Sequence, residues 1–164
     1  MRPPADVPVT SFDVEQTGVT AAMLAGGPEA CEVMAARDAR FGALPYRLVA
    51  HSAHTEATLI GGQREHCPVM AAIALVCTVR LARLVELGSH SLERVAGRLG
   101  LPIPANRHRA LPDAALTAQE FVRLLIEGVR AGRWRTVLEV QAAAGLCVKP
   151  AADRSGASAQ SGLF

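Results

Sequence analysis

The sequence predicts an α+β fold, predominantly helical, in which a small antiparallel or mixed sheet packs on a central apolar helix of about 68–87, with four or five helices in all. Three observations lead there. The run from Cys67 to Val79 is the most apolar of the chain, and the proline at its head suits the first position of a helix. Several further segments carry helix start and stop residues. Two stretches, Val7–Val14 and Tyr46–Ile60, have the β-branched and alternating character of strands. Half of the 164 residues are hydrophobic but only 4% are aromatic, so the core is to be built from Ala, Val, Leu and Met. The length suits a single domain, taken as 1–150, followed by a Ser/Gly/Ala tail over 151–164 expected to be disordered.

Taken in order, prolines at positions 3, 4 and 8 make the first residues an extended arm that leads into an edge strand at Val7–Val14. Thr17–Leu24 is expected as a short helix closed by Gly26-Gly27. Pro28 then opens a helix with Glu29 and Glu32 near its positive end and Arg37 and Arg40 near its negative end. Tyr46–Ile60 is expected as one bent strand or a tight hairpin, stopped by Gly61-Gly62. After the central helix, Ser91 caps a helix to about Leu99, ended by Gly100. Thr117-Ala-Gln-Glu120 has the pattern of a capping box, in which the threonine hydroxyl and the glutamate carboxylate each serve the other's backbone amide. Arg133–Ala144 is expected as the last helix.

Of the 17 basic residues only Lys149 is lysine, and with so much alanine and glycine this composition suits a GC-rich bacterial genome. The N-terminal residues lack the apolar segment of a secretory signal, and the apolar run is shorter than the roughly 20 residues a membrane span needs. Four cysteines without a CxxC pair suit reduced thiols. A cytoplasmic protein without membrane contact is the expectation. Charge is uneven: residues 1–75 carry 5 basic and 8 acidic residues, a net of −3, whereas 76–150 carry 11 and 6, a net of +5. An anionic partner would suit the second half. The apolar, alanine-rich central segment and the scarcity of large side chains suggest a homo-oligomer or a subunit of a complex.

The segment His51–Cys67 concentrates three of the five histidines, a cysteine and two glutamates. Cys67 precedes Pro68 and is a candidate helix cap, where unpaired amides and the helix dipole lower a thiol pKa. With His66 as base or cation, Cys67 is the candidate catalytic nucleophile. His51, His54 and Glu56, folded toward His66 or Cys67 by a turn near Ala53, are candidate ligands of a divalent metal such as zinc. A small-molecule ligand, a metal or thiol chemistry at this segment is therefore the first functional reading. No GxSxG, GxxxxGK[ST] or GxGxxG motif is present.

Two alternatives stand beside it. One is a non-catalytic interaction or accessory subunit of an oligomeric complex. The other concerns residues 91–109, where Leu92, Val95, Ala96, Leu99, Gly100 and Leu101 resemble the first helix and turn of a bacterial helix-turn-helix. That resemblance implies a recognition helix opening after Pro102, with Asn106, Arg107 and Arg109 offered to the bases and phosphates of DNA.

Overall fold

A computed structural model of the chain describes residues 1–3, 7–42, 46–88, 90–105 and 108–147. The tail from Ala151 lies outside the described residues, as do Asn106 and Arg107. The described residues form nine α-helices, one 3-10 turn (Ala39–Phe41) and a three-stranded mixed sheet. The α+β class and the mixed sheet are as expected, with more and shorter helices than the sequence suggested.

The N-terminal region is helical where an edge strand was expected. Residues 7–10 are irregular, and α1 (Ser11–Thr17) starts at a complete capping box. The Asp13 amide donates to Thr10 Oγ1 at 3.2 Å, and the Thr10 amide donates to Asp13 Oδ2 at 2.9 Å. Two local hydrogen bonds outweigh the strand preference of the valines. Next come α2 (Ala21–Ala25) and α3 (Ala30–Asp38), the latter with the Glu29 amide bonded to the Glu32 carboxylate.

The sheet starts at β1 (Leu48–Ala50). The expected long strand stops there, because Ser52 takes a left-handed φ of 59° and turns the chain into α4 (His54–Gly62). After α5 (Pro68–Ala72) the chain extends as β2 (Leu75–Cys77) and coils at once into α6 (Thr78–Leu84). The single central helix of 68–87 is therefore replaced by helix, strand and helix. A continuous apolar run does not distinguish a buried helix from a strand covered on both faces. β2 is the second kind, with all three residues buried.

β1 pairs with β2 in parallel, Leu48 opposite Leu75 and Ala50 opposite Cys77. The other edge of β2 is taken antiparallel by β3 (Gly145–Leu146), a two-residue strand too short to show a pattern in the sequence. Strand alternation splits the core in two. Val76 points to one cluster with Leu81, Val95, Leu124 and Trp134, while Leu75 and Cys77 point to another made largely of alanines 50, 53, 57 and 71.

Ser91 does cap α7 (Leu92–Arg98), its hydroxyl accepting from the Arg94 amide. No recognition helix follows among the described residues: 101–105 are irregular, and α8 (Ala110–Arg130) begins only after Arg109. Thr117 and Glu120 thus lie inside α8, both buried, and cap nothing. The helix starts eight residues earlier than the capping pattern implied, with Pro112 tolerated in its first turn. Finally α9 (Val137–Ala144) starts at Thr136, whose hydroxyl accepts from the Glu139 amide at 3.2 Å.

Trp134 is the one tryptophan, 3% exposed, and its indole lies flat against Gly128 of α8. A β-carbon at position 128 would overlap the ring. Gly128→Ala is expected to lower stability by about 1–3 kcal/mol through overpacking. Urea unfolding followed by Trp134 fluorescence measures this, and an unchanged midpoint would contradict the packing described.

Candidate active site

Parallel pairing in this register puts the residues after β1 and β2, His51 and Thr78, side by side at the carboxyl ends of the strands. Glu120 of α8 reaches both. His51 Nδ1 lies 2.9 Å from Thr78 Oγ1 and 3.0 Å from Glu120 Oε2, and the Thr78 hydroxyl donates to the same carboxylate oxygen at 3.0 Å. On its far side the ring donates from Nε2 to the carbonyl of His90 at 2.8 Å. Burial disfavours a charged imidazole, but the hydrogen bond and charge of Glu120, the His90 carbonyl and the charge of Glu56 outweigh it. The His51 pKa is raised. With both ring nitrogens turned inward, His51 has no lone pair to offer a metal.

The other segment residues diverge. His54 is exposed on α4, and His66 Nε2 pairs with its neighbour Glu65 at 3.1 Å. Cys67 is fully buried, its thiol donating to the Gln63 carbonyl at 3.1 Å. Desolvation, followed by the charge of Asp38, pushes this thiol up, against a smaller opposite effect of Arg64. The thiolate expected at a helix start is disfavoured here. Among the described residues, no three His, Cys, Asp or Glu side chains come close enough together to hold a metal ion. The zinc set expected from His51, His54 and Glu56 is not assembled.

Glu56 does turn toward a cavity. With His51, Ala50 and Thr117 it lines a hollow of about 540 Å³ beneath the start of α8, and its Oε2 is buried without a hydrogen-bond partner. Asp113, in the first turn of α8, lines the same hollow and also a neighbouring one of about 620 Å³. The second hollow is bounded by Asp13, His108 and Arg109. Asp13 is kept ionised by the side-chain hydrogen bond from Thr10 and then by the Thr10 amide, which lower its pKa. His108 holds a left-handed φ of 65°, a strained conformation for a residue with a side chain. Arg109 caps α8 and lays its guanidinium against Gly18, whose own φ of 66° and missing side chain leave room for it.

Three carboxylates, two imidazoles and a guanidinium thus surround the positive end of a 21-residue helix. This is chemistry for an anionic substrate and for moving protons at its side. Metal-assisted hydrolytic sites commonly hold divalent cations between carboxylates. The oxygens of Asp13, Glu56 and Asp113 are the right donor type, but they are spread over two hollows and form no closed cage. Sequence reasoning missed Asp13, His108 and Asp113. The signals were two acids at i and i+2 in Asp13-Val14-Glu15, and a His-Arg pair just ahead of a helix with an acid in its first turn.

Two outcomes follow from the buried groups. His51 binds its proton more tightly folded than unfolded, so the folded chain holds more protons between the ordinary value of about 6.5 and the raised one. That stabilisation is complete below the unfolded pKa and is lost as pH rises through the folded one. Urea midpoints are expected to decline with pH in that window, and Glu120→Ala to cost about 3–5 kcal/mol by stranding His51; a pH-independent midpoint would contradict the pair. Separately, a disulfide reagent is expected to modify exposed Cys147 quickly, and buried Cys67 and Cys77 only at the rate of unfolding.

Comparison with known proteins bears on this site directly. A sequence model of the RNase_T exonuclease family matches residues 2–121, a stretch that contains every polar group around the two hollows. A DNA polymerase III subunit epsilon-like protein of Rhodobacter capsulatus is 35% identical over 134 residues, an alignment covering 76% of this chain and 18% of that protein. The chain therefore spans under a fifth of that relative's length. No solved structure matches it. On the family match over most of its length, this chain belongs to the exonuclease family.

Proposed function

We propose that this chain is a nuclease domain that releases nucleotides from the end of a nucleic-acid strand, with the reacting phosphate seated at the start of α8 where the two hollows adjoin. The observation that carries this reading is the coincidence of the family match over residues 2–121 with the groups lining the hollows. The helix end and Arg109 attract the phosphate, and a guanidinium can hold two of its oxygens at once. His108, which lines the second hollow, takes the proton as water attacks phosphorus and the bond to the departing sugar oxygen breaks. Asp13 and Asp113 orient the water and the terminal hydroxyl. A nucleic-acid substrate takes the place of the small-molecule ligand first considered, and a cytoplasmic setting suits it.

The test is release of mononucleotides from an end-labelled oligonucleotide, with magnesium or manganese present and a chelator in a parallel reaction. His108→Ala and Asp113→Asn are expected to lower kcat by about 10²–10⁴, the span of general acid–base catalysis. Arg109→Gln is expected to act mainly on KM. A wild-type chain that leaves every labelled strand intact under these conditions overturns the proposal.

A second reading, an accessory subunit acting beside another protein, is favoured by the outer face of α8. Leu111, Val122, Ile126 and Val129 stand on the side opposite the core and are 80%, 55%, 41% and 55% exposed, with no charged residue among them. An apolar stripe of that length on the solvent side of a helix marks a surface that is covered in use. The relative from Rhodobacter is by name a polymerase-subunit-like protein. Sedimentation over a range of concentrations is expected to show association that Val122→Asp abolishes with the helix content unchanged; a monomer at all concentrations speaks against assembly with itself.

A further inference from the structure

We infer that the outer face of α7 carries a second anion site, separate from the hollows at the start of α8, which holds the sugar-phosphate backbone of a nucleic-acid strand. A groove of about 460 Å³ is lined by Gly88, Arg94, Gly97 and Arg98. Arg98 also lines the adjoining hollow, where Arg123 of α8 faces it across Leu87 and Leu99. Three guanidinia thus follow one continuous surface. None of them has an ion-pair partner among the described residues. Glu127, the acid of this surface, is engaged by Arg130 at 2.9 Å.

Two features of α7 point to a ligand and not to a merely solvated face. Arg94 and Arg98 are one turn apart, and a like-charge pair at that spacing destabilises a helix. Gly97 borders both on the same face, in the last turn of α7. Packing does not require it, since a β-carbon there would meet nothing within 4 Å. It does not serve as the left-handed cap either, because Gly100 does so at φ 67°. What Gly97 provides is a bare patch beside the two arginines, where another backbone can approach closely.

The arginines are strung out and do not converge on one point. Arg94 and Arg98 have β-carbons about 5–6 Å apart, a spacing on the scale of neighbouring phosphates. Among the described residues no aromatic side chain lines either hollow, so the surface reads charge and not base identity. The buried side of α7, with Leu92, Val95 and Ala96, separates this groove from the hollow holding Glu56. The inference rests on the nuclease reading for the kind of anion, and it adds a place where the strand is held away from the cut.

Fluorescence anisotropy with labelled oligothymidylate and with a mixed-sequence strand tests it, using the full chain carrying Asp113→Asn so that the probe stays intact. Adding R94Q, R98Q and R123Q together is expected to weaken both probes by at least tenfold. The slope of log affinity against log salt is expected to fall by about 2, near 0.7 for each phosphate that the variant no longer neutralises. Gly97→Leu, which has room and improves helix propensity, is expected to weaken binding while its melting temperature holds or rises. Unchanged affinity and slope in the triple variant overturn the inference. So does a triple variant that loses binding of inorganic phosphate alone while strand affinity holds. Arginine-dependent binding in the Asp113→Asn chain supports the groove whether or not the parent cleaves.

Discussion

The His51–Thr78–Glu120 contact holds the described structure together. The Glu120 side chain has no solvent exposure, and a carboxylate in that position is costly unless it is paired and hydrogen-bonded. Its partners follow directly from the sheet. Because β1 and β2 run parallel with Ala50 opposite Cys77, the next residues emerge together, and one is an imidazole and the other a hydroxyl. The proton arrangement is constrained as well. His51 must donate from Nε2 to the His90 carbonyl, and the threonine hydroxyl already donates to Glu120. A proton on Nδ1 then bonds Glu120 Oε2 as well, giving the charged imidazolium that the raised pKa favours, while Oε1 stays buried without a partner among the described residues.

From that contact the position of the site follows. Glu120 fixes the rotation of α8 about its axis, and Asp113 lies two turns earlier on the same face. The buried pair therefore aims the first turn of α8 across the carboxyl ends of β1 and β2. Clefts at the carboxyl ends of parallel strands are where open α/β sheets place ligands, since the loops there diverge and leave a crevice. Two of the three left-handed non-glycine residues among the described ones lie here, Ser52 just past β1 and His108 at the approach to α8, the third being Glu86 after α6. Neither is a glycine, so each conformation is held by its surroundings.

How much of this was legible depends on which forces act locally. The alanine-built core, the helix capped by Ser91 and the helix start at Pro68 were readable, because composition and caps act within a few residues. β2 was not, since a strand buried on both faces has no period to detect. Thr117 and Glu120 misled for a related reason. Their spacing matches a capping box, yet the same i, i+3 spacing also places both on the inner face of a longer helix, and only the partners at His51 and Thr78 decide between the two. The segment His51–Cys67 was correctly singled out as unusual, but its residues part company. His51 turns into the fold and Glu56 toward a cavity, while His54, His66 and Cys67 face elsewhere.

Cys67 shows why a local argument can be sound and still lose. Free amides at a helix start do stabilise a thiolate. Here those amides are taken: Asp38, at the end of α3, accepts from the amides of Met70 at 2.6 Å and Val69 at 3.2 Å. The same carboxylate then sets a negative charge near the sulfur, and α5 is too short for its dipole to compensate. An acid brought in from elsewhere in the chain has occupied the site that the thiolate needed. At the start of α8 the reverse holds, for there the helix is long, Arg109 adds positive charge, and the carboxylates stand around the approach to the helix end. Of these two helix starts, among the described residues only the first has its amides taken by an acid from elsewhere in the chain.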